Sequence, residues 1–230
     1  MDTVKGFKRD DTKTRQKTAV TLAVLIILNL LVYFLVNTLI TEEVLYEHMT
    51  KQLDHDMAIE QIKKTQRTGF ILLKYLLHGL WIPLKLAGIT LIIMLGLFAY
   101  NIKATFSEVF EVILLPGFIF LIPDVLKFVW FSLVQTNYQM SDLNSFPRFS
   151  LAELLIALDF TINEDFPALL KRLLKPITVI NLLFCWSVAG RLAEIKTDNK
   201  RVFRATFVSF FTVLTVFNLV LHVIITSFAP

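Results

Sequence analysis

The apolar positions of this chain fall in long unbroken runs, not in the alternating or 3.6-spaced stripes of a soluble fold. Thr18 to Ile40 carries no charge at all. Its length matches the roughly 20 apolar residues needed to cross a hydrocarbon core about 30 Å thick. A secretory leader has a shorter apolar core and a small-residue cleavage site, and neither is seen here. The run predicts a first transmembrane helix over 18–40. Residues 41–68 are polar by contrast. Thr41 is a helix-capping residue type with Glu42 and Glu43 behind it, and Leu45, Met49, Leu53, Met57 and Ile62 recur mostly four apart. That spacing predicts an amphipathic helix outside the cytoplasm.

Phe70 to Tyr100 is too long for one perpendicular span at about 1.5 Å per residue. It divides into an interfacial lead-in, Phe70 to His78, with Lys74 and Tyr75 at headgroup level, and a second span over 79–100. Trp81 and Tyr100 are its interfacial anchors, and Lys85 lies about two turns deep. Residues 101–111 form a short inner loop or helix feeding a third span, 112–133, which Pro116 and Pro123 are expected to kink. Val134 to Ser150 reads as an outer loop. Leu151 to Phe160 is apolar but too short to cross, so it is re-entrant or interfacial. Asn163 to Pro167 has the composition of a helix start, Leu169 to Leu174 of an amphipathic turn, and fourth and fifth spans follow over 177–192 and 205–228. The fold class expected is therefore an all-α integral membrane protein with five transmembrane helices and interfacial amphipathic helices.

Composition agrees: the 230 residues are 55% hydrophobic and 18% charged, against about 45–50% and about 25% in soluble domains. The net charge of +4 is not spread as a nucleic-acid surface would be. It collects in the N-terminal segment 1–17 and in Arg191, Lys196, Lys200, Arg201 and Arg204. Five spans starting inside put both clusters in the cytoplasm, as the positive-inside rule requires. A sixth span through 151–160 would move the second cluster outside. The expected organisation is a cytoplasmic basic segment (1–17), a first span (18–40), an extracytoplasmic amphipathic segment (41–68) and a four-span region (69–230) ending extracytoplasmically. Cys185 is the only cysteine, so there is no intrachain disulfide and no CxxC site.

The sequence carries no HExxH, GxSxG, Walker or dinucleotide-binding motif. His48 and His55 are seven apart and read as surface histidines rather than metal ligands. Ser209 and His222 share the fifth span without a base and orienting group around them; His222 reads as an interhelical hydrogen-bonding residue and Cys185 as packing. No catalytic residue, cofactor or metal is expected. The candidate site is the set of intramembrane charges Lys85, Asp124 and Lys127. Asp124 and Lys127 share one helix face, and Lys85 and Lys127 fall at similar depth from the outer end. A charge at the bilayer centre costs about 2.5–3.5 kcal/mol on the insertion scale, so pairing or water access is expected. The cluster either lines a polar cavity or clasps spans two and three together, and the clasp is the slightly favoured reading. The basic segment Arg191 to Arg204 is the candidate cytoplasmic interaction loop.

Two blocks resemble the Yip1 domain family of polytopic membrane proteins. In ATFSEVFEVILLPGF, residues Thr105, Phe106, Val109, Val112 and Pro116 fill the family's pattern of a short segment before a proline-opened span. In KPITVINLLFCWSVAGRLAEIKTDNKRVFRATFVSF, the matching positions are Asn181, Phe184, Trp186, Gly190, Arg204 and Ala205. The resemblance runs from the second span onward. It implies five spans, a cytoplasmic N-terminus, no catalytic residues and, given the short N-terminal segment, a bacterial-type protein of the cytoplasmic (inner) membrane acting through a membrane-protein partner or as a homo-oligomer. The Asp124–Lys127 pair has no counterpart carried over from the family. The leading functional expectation is a non-enzymatic scaffold or accessory subunit, such as of a transporter or exporter complex. The alternative is a small transporter or lipid-handling protein using Lys85, Asp124 and Lys127. The former needs only a filled bundle; the latter needs a solvated cavity reaching Asp124.

Overall fold

The structure is a computed structural model, and it describes residues 11–51, 53–65, 68–147, 149–157, 174–196 and 198–228. The regular structure of these residues is all helical, with no strand among them. The helices are α1 (Asp11–Thr38), α2 (Glu42–Thr50), α3 (His55–Thr65), α4 (Thr68–Ala99), α5 (Phe106–Leu114), a 3-10 segment (Pro116–Leu121), α6 (Ile122–Leu133), α7 (Met140–Ser145), α8 (Leu151–Ala157), α9 (Val179–Ile195) and α10 (Asn199–Phe228). Among the described residues, four stretches are long and apolar enough to cross a membrane: Arg15–Thr38, Gly69–Ala99, Pro116–Leu133 and Asn199–Val220.

Several boundaries differ from those expected. Helix α1 starts at Asp11, so part of the basic N-terminal segment is helical. The amphipathic segment is two helices packed on each other, not one. The chain turns between Thr50 and His55, where Thr50 bonds back to the Tyr46 carbonyl and the Asp54 carbonyl accepts the first bond of the next helix. The Thr41 cap is present, its hydroxyl accepting from the Val44 N–H at 3.3 Å. The separate lead-in before Gly79 is absent, because α4 runs unbroken for 32 residues with Pro83 inside it.

The expected kinked third span is three pieces. Pro116 opens the 3-10 segment and Pro123 lies in the first turn of α6. Both prolines thus sit where an N–H has no helical partner to lose, which is where proline is tolerated. Ahead of them, α5 begins with a capping box: Thr105 accepts from the Glu108 N–H, and the Glu108 carboxylate accepts from the Thr105 N–H. The expected fourth span is α9, 17 residues long, about 25 Å at 1.5 Å per residue. Leu151–Ala157 forms α8, and the last three residues of 151–160, together with the expected helix start at 163–167 and most of 169–174, lie outside the described residues, as do the side chain of His222 and the C-terminal pair 229–230.

The core forms where α4, α5, α9 and α10 meet, with α1 on the outside of α4, α5 and α6. Ile82, Leu86, Ile89, Ile93 and Leu97 give α4 a buried stripe, facing Val109 and Ile113 of α5, Phe184 and Val188 of α9 and Phe210 of α10. The opposite face of α4 is equally apolar and exposed, through Leu84, Leu91, Leu95 and Phe98. A helix apolar all round is the signature of a membrane span.

The bundle has two chemically different ends. At one, Lys17 of α1 meets Glu111, Arg191 and Glu194, and Lys103, Lys196, Asp198 and Arg201 gather at the α4–α5 and α9–α10 turns. At the other, Leu39, Phe131 and Leu143 form a small apolar cap closed by Tyr138, whose hydroxyl donates to the Leu39 carbonyl at 2.9 Å. Burial in that cap raises the Tyr138 phenol above its ordinary pKa.

Candidate polar pocket at one end of the bundle

Lys85 lies on α4 between the buried Ile82 and Leu86, so its side chain is directed along the edge of the packed stripe and not into lipid-like surroundings on the far face. Its ammonium stands over the ring of Phe120, 3.5 Å from the centroid. Phe120 belongs to the 3-10 segment, and its ring also packs against Phe184 at 4.6 Å. The short, tight 3-10 turns therefore place one aromatic ring between the apolar core and a cation. Three residues beyond the segment's end, α6 brings Asp124 in its first turn, where a carboxylate is favoured by the helix dipole. Lys127 follows one turn later.

These three residues line one pocket, with a cavity of about 450 Å³. Asn144, Phe146 and Pro147 cover it from the α7 side, and Thr178, Ile180 and Asn181 close it from the start of α9. The last three are held firmly. Thr178 caps α9 by accepting from the Asn181 N–H at 3.0 Å, and the Asn181 side chain donates to the Pro176 carbonyl at 2.8 Å. Backbone bonds from Leu151 N–H to the Ile177 carbonyl and from Val179 N–H to the Phe149 carbonyl tie this end of α9 to the start of α8.

Asp124 is the charge that acts on both Lys85 and His78. The His78 ring stacks on Tyr33 at 3.8 Å, and its carbonyl accepts from Asn29, a buried polar residue of α1. Tyr33 in turn meets Tyr75, and Asn37 accepts from Lys74 at 3.4 Å. Asn29, Tyr33 and Asn37 recur four apart on α1, so one face of that helix carries a polar seam along α4 that leads toward the pocket. The seam and Phe120 are invisible as a set in the sequence. The four-residue spacing of Asn29, Tyr33 and Asn37 inside an otherwise apolar run is the signal that finds it.

The second candidate set divides. Arg191 lies within α9 and Arg204 within α10, and Lys196 and Asp198 stand between the two helices. Lys200, Arg201 and Arg204 are exposed. Lys196 is committed to Glu108 at 3.3 Å, and Arg201 to Asp198 at 3.0 Å. The Thr105 N–H, aided by Lys196, holds the Glu108 carboxyl below its ordinary value. His55 bonds to the Tyr46 hydroxyl, and among the described residues no group of three His, Cys, Asp or Glu side chains is placed to hold a metal. Cys185 is fully buried in the core.

The chain matches no family model, no curated protein and no solved structure in the comparisons with known proteins.

Proposed function

We propose that this protein is a five-span integral membrane protein that binds a small polar or amphiphilic molecule in the pocket of Lys85, Asp124 and Lys127, acting as a small transporter or lipid-handling protein. The cavity of about 450 Å³ reaching Asp124 is the observation that carries this reading. A clasp between helices would bring the charges together without leaving space beside them. In this reading α9 is the fifth membrane-crossing element. It runs from the pocket to the basic end, and local thinning or flanking side chains accommodate its shortness. The end bearing Lys17, Arg191, Lys196 and Arg201 faces the cytoplasm by the positive-inside rule. The pocket then opens outward, and residue 228 lies on the outer side.

The likeness to the Yip1 domain family is kept as part of this proposal, on Phe106, Val109, Pro116, Asn181 and Trp186, and with it a location in a bacterial cytoplasmic membrane and a non-enzymatic role. A scaffold or accessory subunit is the second reading. What favours it is the exposed basic surface of Lys200, Arg201 and Arg204, a contact surface for a cytoplasmic partner. Purification in mild detergent separates the two. The pocket reading expects solitary protein that releases a bound small molecule on organic extraction. A stoichiometric partner subunit and an empty pocket would overturn it in favour of the scaffold.

A further inference from the structure

Lys85 brings three N–H donors to the pocket. Among the described residues its ammonium makes no hydrogen bond and no ion pair within 4 Å; its close contact is the face of Phe120, and Asp124 acts on it from further off. An aromatic face attracts a cation but leaves its donors pointing past the ring. Among the described residues that line the pocket, two are basic, Lys85 and Lys127, and one is acidic, Asp124. Phe146, Pro147 and Ile180 make the remaining wall apolar. Helix α6 packs on α1 and the 3-10 segment, and α9 on the 3-10 segment, α5 and α10. The two helices that flank the pocket are therefore not packed along each other. Both carry exposed apolar side chains, Val125 and Val129 on α6 and Leu182 and Leu183 on α9.

From this juxtaposition we infer that the pocket takes the anionic headgroup of a membrane lipid, with a phosphate or carboxylate oxygen on the Lys85 ammonium and the acyl chains leaving between α6 and α9. The inference rests on the pocket reading above and adds the ligand's charge and class. Asp124 sets the limit on charge: it repels an anion from its own side and so directs the headgroup toward Lys85. Asn144, at the cover, offers an amide that suits the polar groups beyond the phosphate.

The test is thermal unfolding of the full chain in a mild non-ionic detergent. Phosphatidylglycerol, phosphatidylcholine, a cationic trimethylammonium lipid and inorganic phosphate are added separately. Phosphatidylglycerol is expected to raise Tm by several degrees. Lys85→Met should abolish that shift, Lys85→Arg should retain most of it, and Lys63→Met, altering an exposed lysine, should keep all of it. Equal phosphatidylglycerol shifts in wild type and Lys85→Met would overturn the inference. An equally large, Lys85-dependent shift from inorganic phosphate would overturn the lipid source and leave a free anion as ligand. A shift from the neutral or cationic lipid alone, lost in Asn144→Trp, would overturn the anionic class while leaving the pocket reading standing. No shift from any addition, with Asn144→Trp indistinguishable from wild type, would remove both.

Discussion

At the scale of single residues, Gly96 shows how closely the helices approach. A side-chain carbon there would meet Ser209 and come within 2.6 Å of the Ala205 carbonyl oxygen. Small residues at such crossings let membrane helices touch along their backbones. Gly96→Ala therefore forces α4 and α10 apart and should lower the unfolding free energy by about 1–3 kcal/mol, the usual cost of overpacking. Gly88, on the same helix, has open space around it. Gly88→Ala should leave stability unchanged or slightly raised, so the pair compared in denaturant titration isolates packing from helix propensity. The charged residues were legible from the chain alone: Lys85, Asp124 and Lys127 stand out because a charge in an apolar run is costly, and their common depth follows from counting. Phe120 was not legible. It is one of 21 phenylalanines, and only the turn of the 3-10 segment selects it as the ring under Lys85.

At the scale of elements, the apolar runs located the long helices but not their inner faces. In a soluble helix the buried stripe contrasts with a polar surface. In α4 the buried Leu86, Ile89 and Ile93 and the exposed Leu84, Leu91 and Leu95 are chemically alike, so periodicity carries no information about which side packs. The prolines misled for a related reason. Each was read as a kink in one long helix, whereas each begins a new segment. The Thr105-x-x-Glu108 signature, by contrast, is a readable helix start, and it shows why 101–111 is part loop and part helix. That cap also makes a pH prediction. The Thr105 N–H and Lys196 favour the ionised Glu108 in the folded state, so its pKa there lies below the unfolded value of 4.5. The stabilisation is complete above that unfolded value and is lost as pH falls through the lower folded one. Melting curves of wild type and Glu108→Gln should therefore differ at neutral pH and converge as the medium is acidified through that window. A difference that persists unchanged in acid would show that the cap, not the charge, is what matters.

At the scale of the whole molecule, the separation of its two ends is what turns a bundle into a candidate binding protein. The basic end is tied by charge pairs such as Lys196–Glu108. The other end is tied by an apolar cap and by the Ser150–Thr178 bridge, and the pocket lies beneath that cap. Charge asymmetry was readable from the order of Lys and Arg along the chain. The pocket was not, because Asn144, Pro147 and Thr178 come from connecting segments whose positions depend on how α7 and α9 dock. The most direct measurement is chemical labelling of Lys85→Cys, in a Cys185→Ala background, by an anionic, membrane-impermeant methanethiosulfonate added outside intact cells. Labelling at a rate close to that of Asn144→Cys at the cover is the result expected of a water-filled pocket opening outward. Labelling seen only after the membrane is permeabilised, or no labelling at all, would contradict it.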